Sequence, residues 1–204
     1  MRGLRLSYGN ALVLAGLALL GVSAAFEAQI ALSGGFGSSY LGGGDLIHLL
    51  VVPWALGFVF FGFYLDHPEV LWDPRSGRRA AATYLLLTDG AIHIVAIGQH
   101  IDLPVVAFFV VLAPAEFVGA WFLLRGSRGY LMAWMVVALF LIALYVTSRI
   151  VSLPLVTQQM YLFEPVGLLA KGIEGLLVAV VAKDVWASAR ADRGAVPGRR
   201  ATQS

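Results

Sequence analysis

Six stretches of this chain are apolar and long, at roughly 8–26, 43–65, 80–100, 103–124, 129–151 and 163–186. A helix rises about 1.5 Å per residue, and some 20 residues cross the hydrocarbon core of a bilayer. In lipid no water satisfies the backbone, so a spanning segment must be a helix or a strand of a closed barrel. Nothing here alternates with period two as barrel strands do. The expected fold is an all-α integral membrane protein, a bundle of six transmembrane helices over residues 1–188. Residues 189–204, "ARADRGAVPGRRATQS" from Ala189, read as a flexible cytoplasmic tail. Composition agrees: 13% of residues are charged, against about 25% in soluble domains.

Basic residues set the expected orientation. Twelve of the fourteen fall at one end of the spans: Arg2, Arg5, Arg75, Arg78, Arg79, Arg125, Arg128, Lys183, Arg190, Arg193, Arg199 and Arg200. The opposite loops carry none, which places both termini in the cytoplasm of a multi-pass cell-membrane protein. The start of the chain, "MRGLRLSYGNALVLAGLALLGVSAA", also has the layout of a secretory signal. Retention of the first helix is the expectation, and cleavage would leave five spans. Net charge is only +2, so a nucleic-acid partner is not expected. The expected partners are lipid and other membrane or redox-complex subunits. Without cysteine there is no disulfide, thiolate metal site or cysteine nucleophile.

The two remaining basic residues, Arg149 and Lys171, lie within spans, as do several acids and histidines. An ionisable group in a span costs about 2.5–3.5 kcal/mol on insertion scales, so it is expected to face the bundle interior with a partner. In "TDGAIHIVAIGQH", Asp89, His93 and His100 fall on one face of the third span. His93 should lie about 10 Å below the outer boundary. In the antiparallel second span, "GGGDLIHLL" places Asp45 and His48 in the outer half. His48 and His93 are thus expected at matched depth.

Two imidazoles at one depth on adjacent helices suit bis-histidine ligation of a b-type haem. Gly57, Gly90 and Gly98 would allow the macrocycle to approach, and Arg149 and Lys171 would face its propionates. His100 is an alternative ligand or a contact to a quinol hydroxyl, and Asp89 would orient the site from one turn away. The plainer alternative is that both histidines hydrogen-bond to Asp45, Asp89 or backbone carbonyls and hold helices together. A zinc site needs three or four convergent ligands, drawn here from His48, His93, His100 and a carboxylate. His67, in the basic loop, reads as solvated.

A second polar group is "EPVGLLAKGIEGLL", in which Lys171 and Glu174 share a face three residues apart. Glu116 follows Pro114 near the middle of the fourth span, where proline frees a carbonyl and bends the helix. Asp89, Glu116 and Glu174 could form a proton path or hold a quinone headgroup. Alternatively, Lys171 and Glu174 form a buried pair that fixes register. A lysine in the last helix also suggests a retinal Schiff base, but there are six spans rather than seven. Gly57, Gly62, Gly167 and Gly175 are expected as close-packing points. The five tryptophans are expected as interfacial anchors, mostly near span ends.

Phosphate loops, dinucleotide fingerprints, His-Glu-x-x-His and Gly-x-Ser-x-Gly are all missing. The layout resembles small membrane cytochrome b subunits of respiratory complexes, on histidine placement alone. That resemblance implies an accessory or electron-transferring subunit binding haem b, and possibly a quinol, rather than a complete enzyme. From other classes come a cofactor-free structural or assembly subunit and a small-solute or proton transporter.

Overall fold

The computed structural model describes residues 7–32, 43–99, 102–123, 127–151 and 165–194. Among them are six long helices and one single turn. These are α1 (Tyr8–Leu32), α2 (Gly43–Asp66), α3 (Glu69–Trp72), α4 (Pro74–Gln99), α5 (Leu103–Leu123), α6 (Arg128–Ile150) and α7 (Pro165–Gly194). No strand occurs among the described residues. Three helical segments are long and apolar enough to cross a membrane: Pro74–Ile97, Leu103–Leu123 and Arg128–Ile150. The described parts of α1 and α2 contribute shorter apolar stretches, Tyr8–Ser23 and Val51–Asp66.

Helix α4 begins at Pro74, earlier than hydropathy alone suggests, because "DPRS" is a start signal. Asp73 accepts from the backbone N–H of Arg75 and of Ser76, both at 3.1 Å, and from the Ser76 hydroxyl at 2.5 Å. Pro74, whose missing N–H would have no intrahelical partner, occupies the first helical position. The Ser76 hydroxyl, followed by those two N–H groups, holds the Asp73 carboxyl below its usual range. At the other end of the chain, α7 continues to Gly194, so residues 189–194 of the expected tail are helical.

Successive long helices run in opposite directions. The Ser7 hydroxyl, at the start of α1, donates to Asp66 at the end of α2 (2.6 Å). Arg78, near the start of α4, pairs with Asp184, near the end of α7 (2.8 Å). We call the end carrying Arg75, Arg78, Arg79 and Arg128 the basic end, and its opposite the far end.

Helices α1 and α2 form a hairpin whose axes approach closely. A Cβ at Gly9 would strike the Gly62 carbonyl, and one at Gly16 would strike the Ala55 carbonyl. Helix α4 sits at the centre, packed against α2, α5 and α7, while α6 leans on α7 and meets α5 through Tyr130 and Trp134. Its apolar span is 67% buried, compared with 22% for α5 and 17% for α6. This position explains how α4 tolerates polar residues: they meet neighbouring helices rather than lipid. The Thr83 and Thr88 hydroxyls donate to carbonyls four residues back (2.9 and 2.8 Å). The Tyr84 hydroxyl donates to the Pro53 carbonyl of α2 (3.0 Å).

Toward the basic end, Ala82, Leu86, Ala120, Leu123, Leu131, Ala138, Leu177 and Val181 form a closed apolar plug contributed by all of α4 to α7. Gly62 and Gly167 are close-packing points as expected, Gly167 lying against the Tyr145 ring. Gly57 and Gly175 are not, since a Cβ there would meet nothing within 4 Å. Trp134 lies across Gly119 and joins the plug rather than anchoring an interface. Trp54 is exposed midway along α2.

Candidate functional site

Three helices bring their ionisable residues to one place. Asp89 and His93 stand one turn apart on α4, Glu116 comes from α5, and Lys171 and Glu174 come from α7. Asp89, His93, Glu116 and Glu174 are 1%, 3%, 0% and 0% exposed, respectively. On α7 the face that carries Glu174 is the one that buries Ala170, Leu177, Val181 and Asp184, spaced by three or four residues as a single helical stripe. Glu174 and Asp184 are ten residues apart, so the cluster stands about 15 Å from the basic-end ion pair. That is about half the thickness of a hydrocarbon core.

His93 Nδ1 and Glu116 Oε2 share a hydrogen bond of 2.8 Å. Nε2 faces Glu174 Oε1 at 3.9 Å, too long for a hydrogen bond. Lys171 Nζ donates to that same Glu174 oxygen, the neighbour its spacing suggests. The Phe109 ring stacks on the imidazole at 5.1 Å and 27°, which fixes the ring plane. One ligand atom each from Asp89, His93 and Glu116 lie within 4.8 Å of one another. Neither oxygen of Asp89 has a hydrogen-bond partner, nor does Glu116 Oε1 or Glu174 Oε2. Asp89 and Glu116 approach carboxyl to carboxyl, a contact that is attractive only with a proton or a cation between them.

On the far-end side of the cluster lies a cavity of about 230 Å³ between α4, α5, α6 and α7. Ile92, Phe108, Phe109, Leu141 and Leu144 make most of its wall apolar, while His93, Lys171, Tyr145, Ser148 and Arg149 supply the polar atoms. The Arg149 guanidinium lies over the Tyr145 ring, 4.3 Å from its centroid. The Tyr145 hydroxyl is buried and has no hydrogen-bond partner in the chain. The described α5–α6 contacts, of Gly119 and Phe122 with Tyr130 and Trp134, lie toward the basic end. The cavity is flanked by the seam between these two apolar helices farther along. The plug closes off the basic-end side.

No family model, no curated protein and no solved structure matches this chain. The chemistry must be read from the residues themselves.

Of the residues singled out in the sequence, Asp89, His93, Glu116, Lys171 and Glu174 converge, and Arg149 lies on the cavity wall beside them. The side chains of Asp45 and His48 lie outside those described, although their backbone belongs to α2. His100 lies outside the described residues. Both ring nitrogens of His93 are directed at carboxyls of α5 and α7, not at α2. A bond from His93 to haem iron would have to replace one of those two relationships. His67 is exposed and faces Glu69 at 3.3 Å.

Phe109, Tyr145 and Asp184 were not anticipated. An aromatic in an apolar span carries no signal of its own, and Tyr145 gains meaning only from the cavity it borders. Asp184 did carry a signal, because it continues the three-and-four spacing of the buried α7 face.

Proposed function

We propose that the protein is a multi-pass subunit of a membrane redox complex whose far-end cavity binds a quinol-type ligand. Six spans with both termini cytoplasmic are part of this reading, supported by the basic-residue asymmetry and the alternating helix directions. The observation that carries it is the unpartnered Tyr145 hydroxyl in a mostly apolar chamber that His93, Ser148, Arg149 and Lys171 also border. A buried hydroxyl without a partner costs about 1–3 kcal/mol, and a ligand oxygen would satisfy it. Mostly apolar walls with a few convergent polar groups are the usual form of a small-molecule site.

The ligand class follows from three features. The α5–α6 seam favours a lipid-soluble molecule that arrives through the bilayer. Phe108, Phe109 and Tyr145 suit a flat ring. Donors from Tyr145 and Lys171 suit oxygens on that ring. The carboxyl–histidine cluster lies one layer deeper, where it can take up or return the protons that accompany quinol chemistry. Electrons would pass to a redox partner in the complex, and haem b on His93 remains the candidate carrier within this chain.

A short-tailed quinone should bind the detergent-purified protein with one saturable site. Leu144→Trp, which fills the cavity without touching the cluster, should weaken that binding at least ten-fold, as read by calorimetric titration. Equal binding by the variant would sink the reading. An oxidised-minus-reduced spectrum with a six-coordinate α-band, lost in His93→Ala, would add the haem.

Topology is checked separately in intact cells. Cysteines introduced at Ser38 and Gln158 should react with an impermeant thiol reagent, while one at Ser127, on the basic end, should stay unlabelled. Labelling at Ser127 alone would reverse the orientation.

A further inference from the structure

The geometry points to a buried divalent-cation site formed by Asp89, His93 and Glu116, for a first-row transition ion of the Zn²⁺, Fe²⁺ or Mn²⁺ kind. It needs no ligand in the cavity, since Asp89 and Glu116 lie outside the cavity wall and only His93 borders it; on His93 the ion is an alternative to haem.

Charge is the first warrant. Three carboxyls face one ammonium in a compartment closed by the plug on one side and bordered by the cavity on the other. Lys171 is matched by Glu174, which leaves the two carboxyls of Asp89 and Glu116 to be neutralised by protons or by a cation. One divalent cation cancels both. Buried charges of this kind are ordinarily paired or bound to metal.

Unused ligand atoms are the second. Both Asp89 oxygens and Glu116 Oε1 are buried and accept no hydrogen bond. The three residues offer atoms within 4.8 Å of one another, and His93 Nδ1 is already 2.8 Å from Glu116 Oε2. Around a four-coordinate ion with bonds of about 2.0–2.2 Å, ligand atoms stand roughly 3.4 Å apart. Small side-chain rotations therefore suffice. The ion would replace the proton now shared between Nδ1 and Glu116.

The remaining contacts then take on a role. With Nδ1 on the ion, Nε2 must carry the proton, and it faces Glu174 Oε1 at 3.9 Å. A carboxylate accepting from the other ring nitrogen is the usual support of a metal-bound histidine. Glu174 would supply it, held in place by Lys171, and Phe109 would fix the ring plane. Selectivity follows from the donors. One imidazole and two carboxylates suit Zn²⁺, Fe²⁺ or Mn²⁺, and offer too few oxygens for Ca²⁺, which takes six to eight. A fourth position is left for water.

The test uses the full chain, purified in detergent and stripped with a chelator. Titrated with Co²⁺, it should take up one equivalent with the visible bands of a four- or five-coordinate ion, and Zn²⁺ should displace it. Asp89→Asn and Glu116→Gln should each weaken Co²⁺ binding at least ten-fold while eluting as one monodisperse species. Glu174→Gln, which leaves all three ligands intact, should bind more weakly than wild type and shift the bands. His67→Ala should bind as wild type, which separates this site from the exposed His67–Glu69 pair. Failure of the wild type to retain Co²⁺ or Zn²⁺ overturns the proposal. So does equal binding by wild type and Asp89→Asn, or loss of the signal in His67→Ala.

Discussion

Lys171→Met should be the most damaging single change in the bundle, costing about 3–5 kcal/mol, the usual loss when one partner of a buried ion pair is removed. The physical reason is local. Lys171 is the cation bonded to Glu174, and Glu174 shares its surroundings with Glu116 and Asp89. Without the ammonium, three carboxyls crowd a compartment that water does not reach from the plug side. The double variant Lys171→Met with Glu174→Gln removes the orphaned charge together with its partner and should recover part of the loss. Unfolding in detergent, followed by denaturant titration, reads both. A double variant no more stable than the single would show that Lys171 serves another partner, with Tyr145 the nearest alternative through its ring, 5.8 Å from Nζ.

The second large effect has the opposite sign. In chelator-treated protein, Asp89→Asn should raise stability by about 1–3 kcal/mol, the range for satisfying a buried polar group that had no partner. As a carboxylate, Asp89 accepts nothing, and its neighbour Glu116 Oε1 is equally unpartnered. An amide of the same shape can donate to that oxygen and removes a like charge. Cation binding should weaken in the same variant, so stability and metal affinity should move in opposite directions. A decrease in stability would mean that Asp89 already has a compensating partner.

Much of this arrangement could be read from residue order. The apolar runs and their joints locate all six long helices, with the bounds of α2, α5 and α6 met to within a residue or so. Helix α1 runs on to Leu32, and α4 and α7 are extended at their polar ends. Pro74 follows an Asp73 cap that hydropathy does not register, and the end of α7 is polar on one side yet helical. Within the site, Asp89–His93 and Lys171–Glu174 are spacings along one helix and are visible directly. The His93–Glu116 contact is not, because it depends on the rotation of α5 about its axis. Gly90 decides that contact, since a Cβ there would stand 3.2 Å from Glu116 Cβ. Matched depth suggested α2 as the partner of His93, but depth has no azimuth. The described contacts of His93 lie on the α5 and α7 side.

The central place of α4 also bears on how the chain is made. Asp89 and His93 leave the ribosome well before Lys171, because α7 follows α4 by roughly 70 residues of chain. Until it arrives, a half-built bundle holds acids and an imidazole among apolar helices without Lys171 beside them. Such an intermediate is poorly suited to lipid and easily recognised by quality-control proteases. Premature termination before Pro165 should therefore leave a product that is cleared rather than accumulated. Completion of the polar layer would then wait on α7.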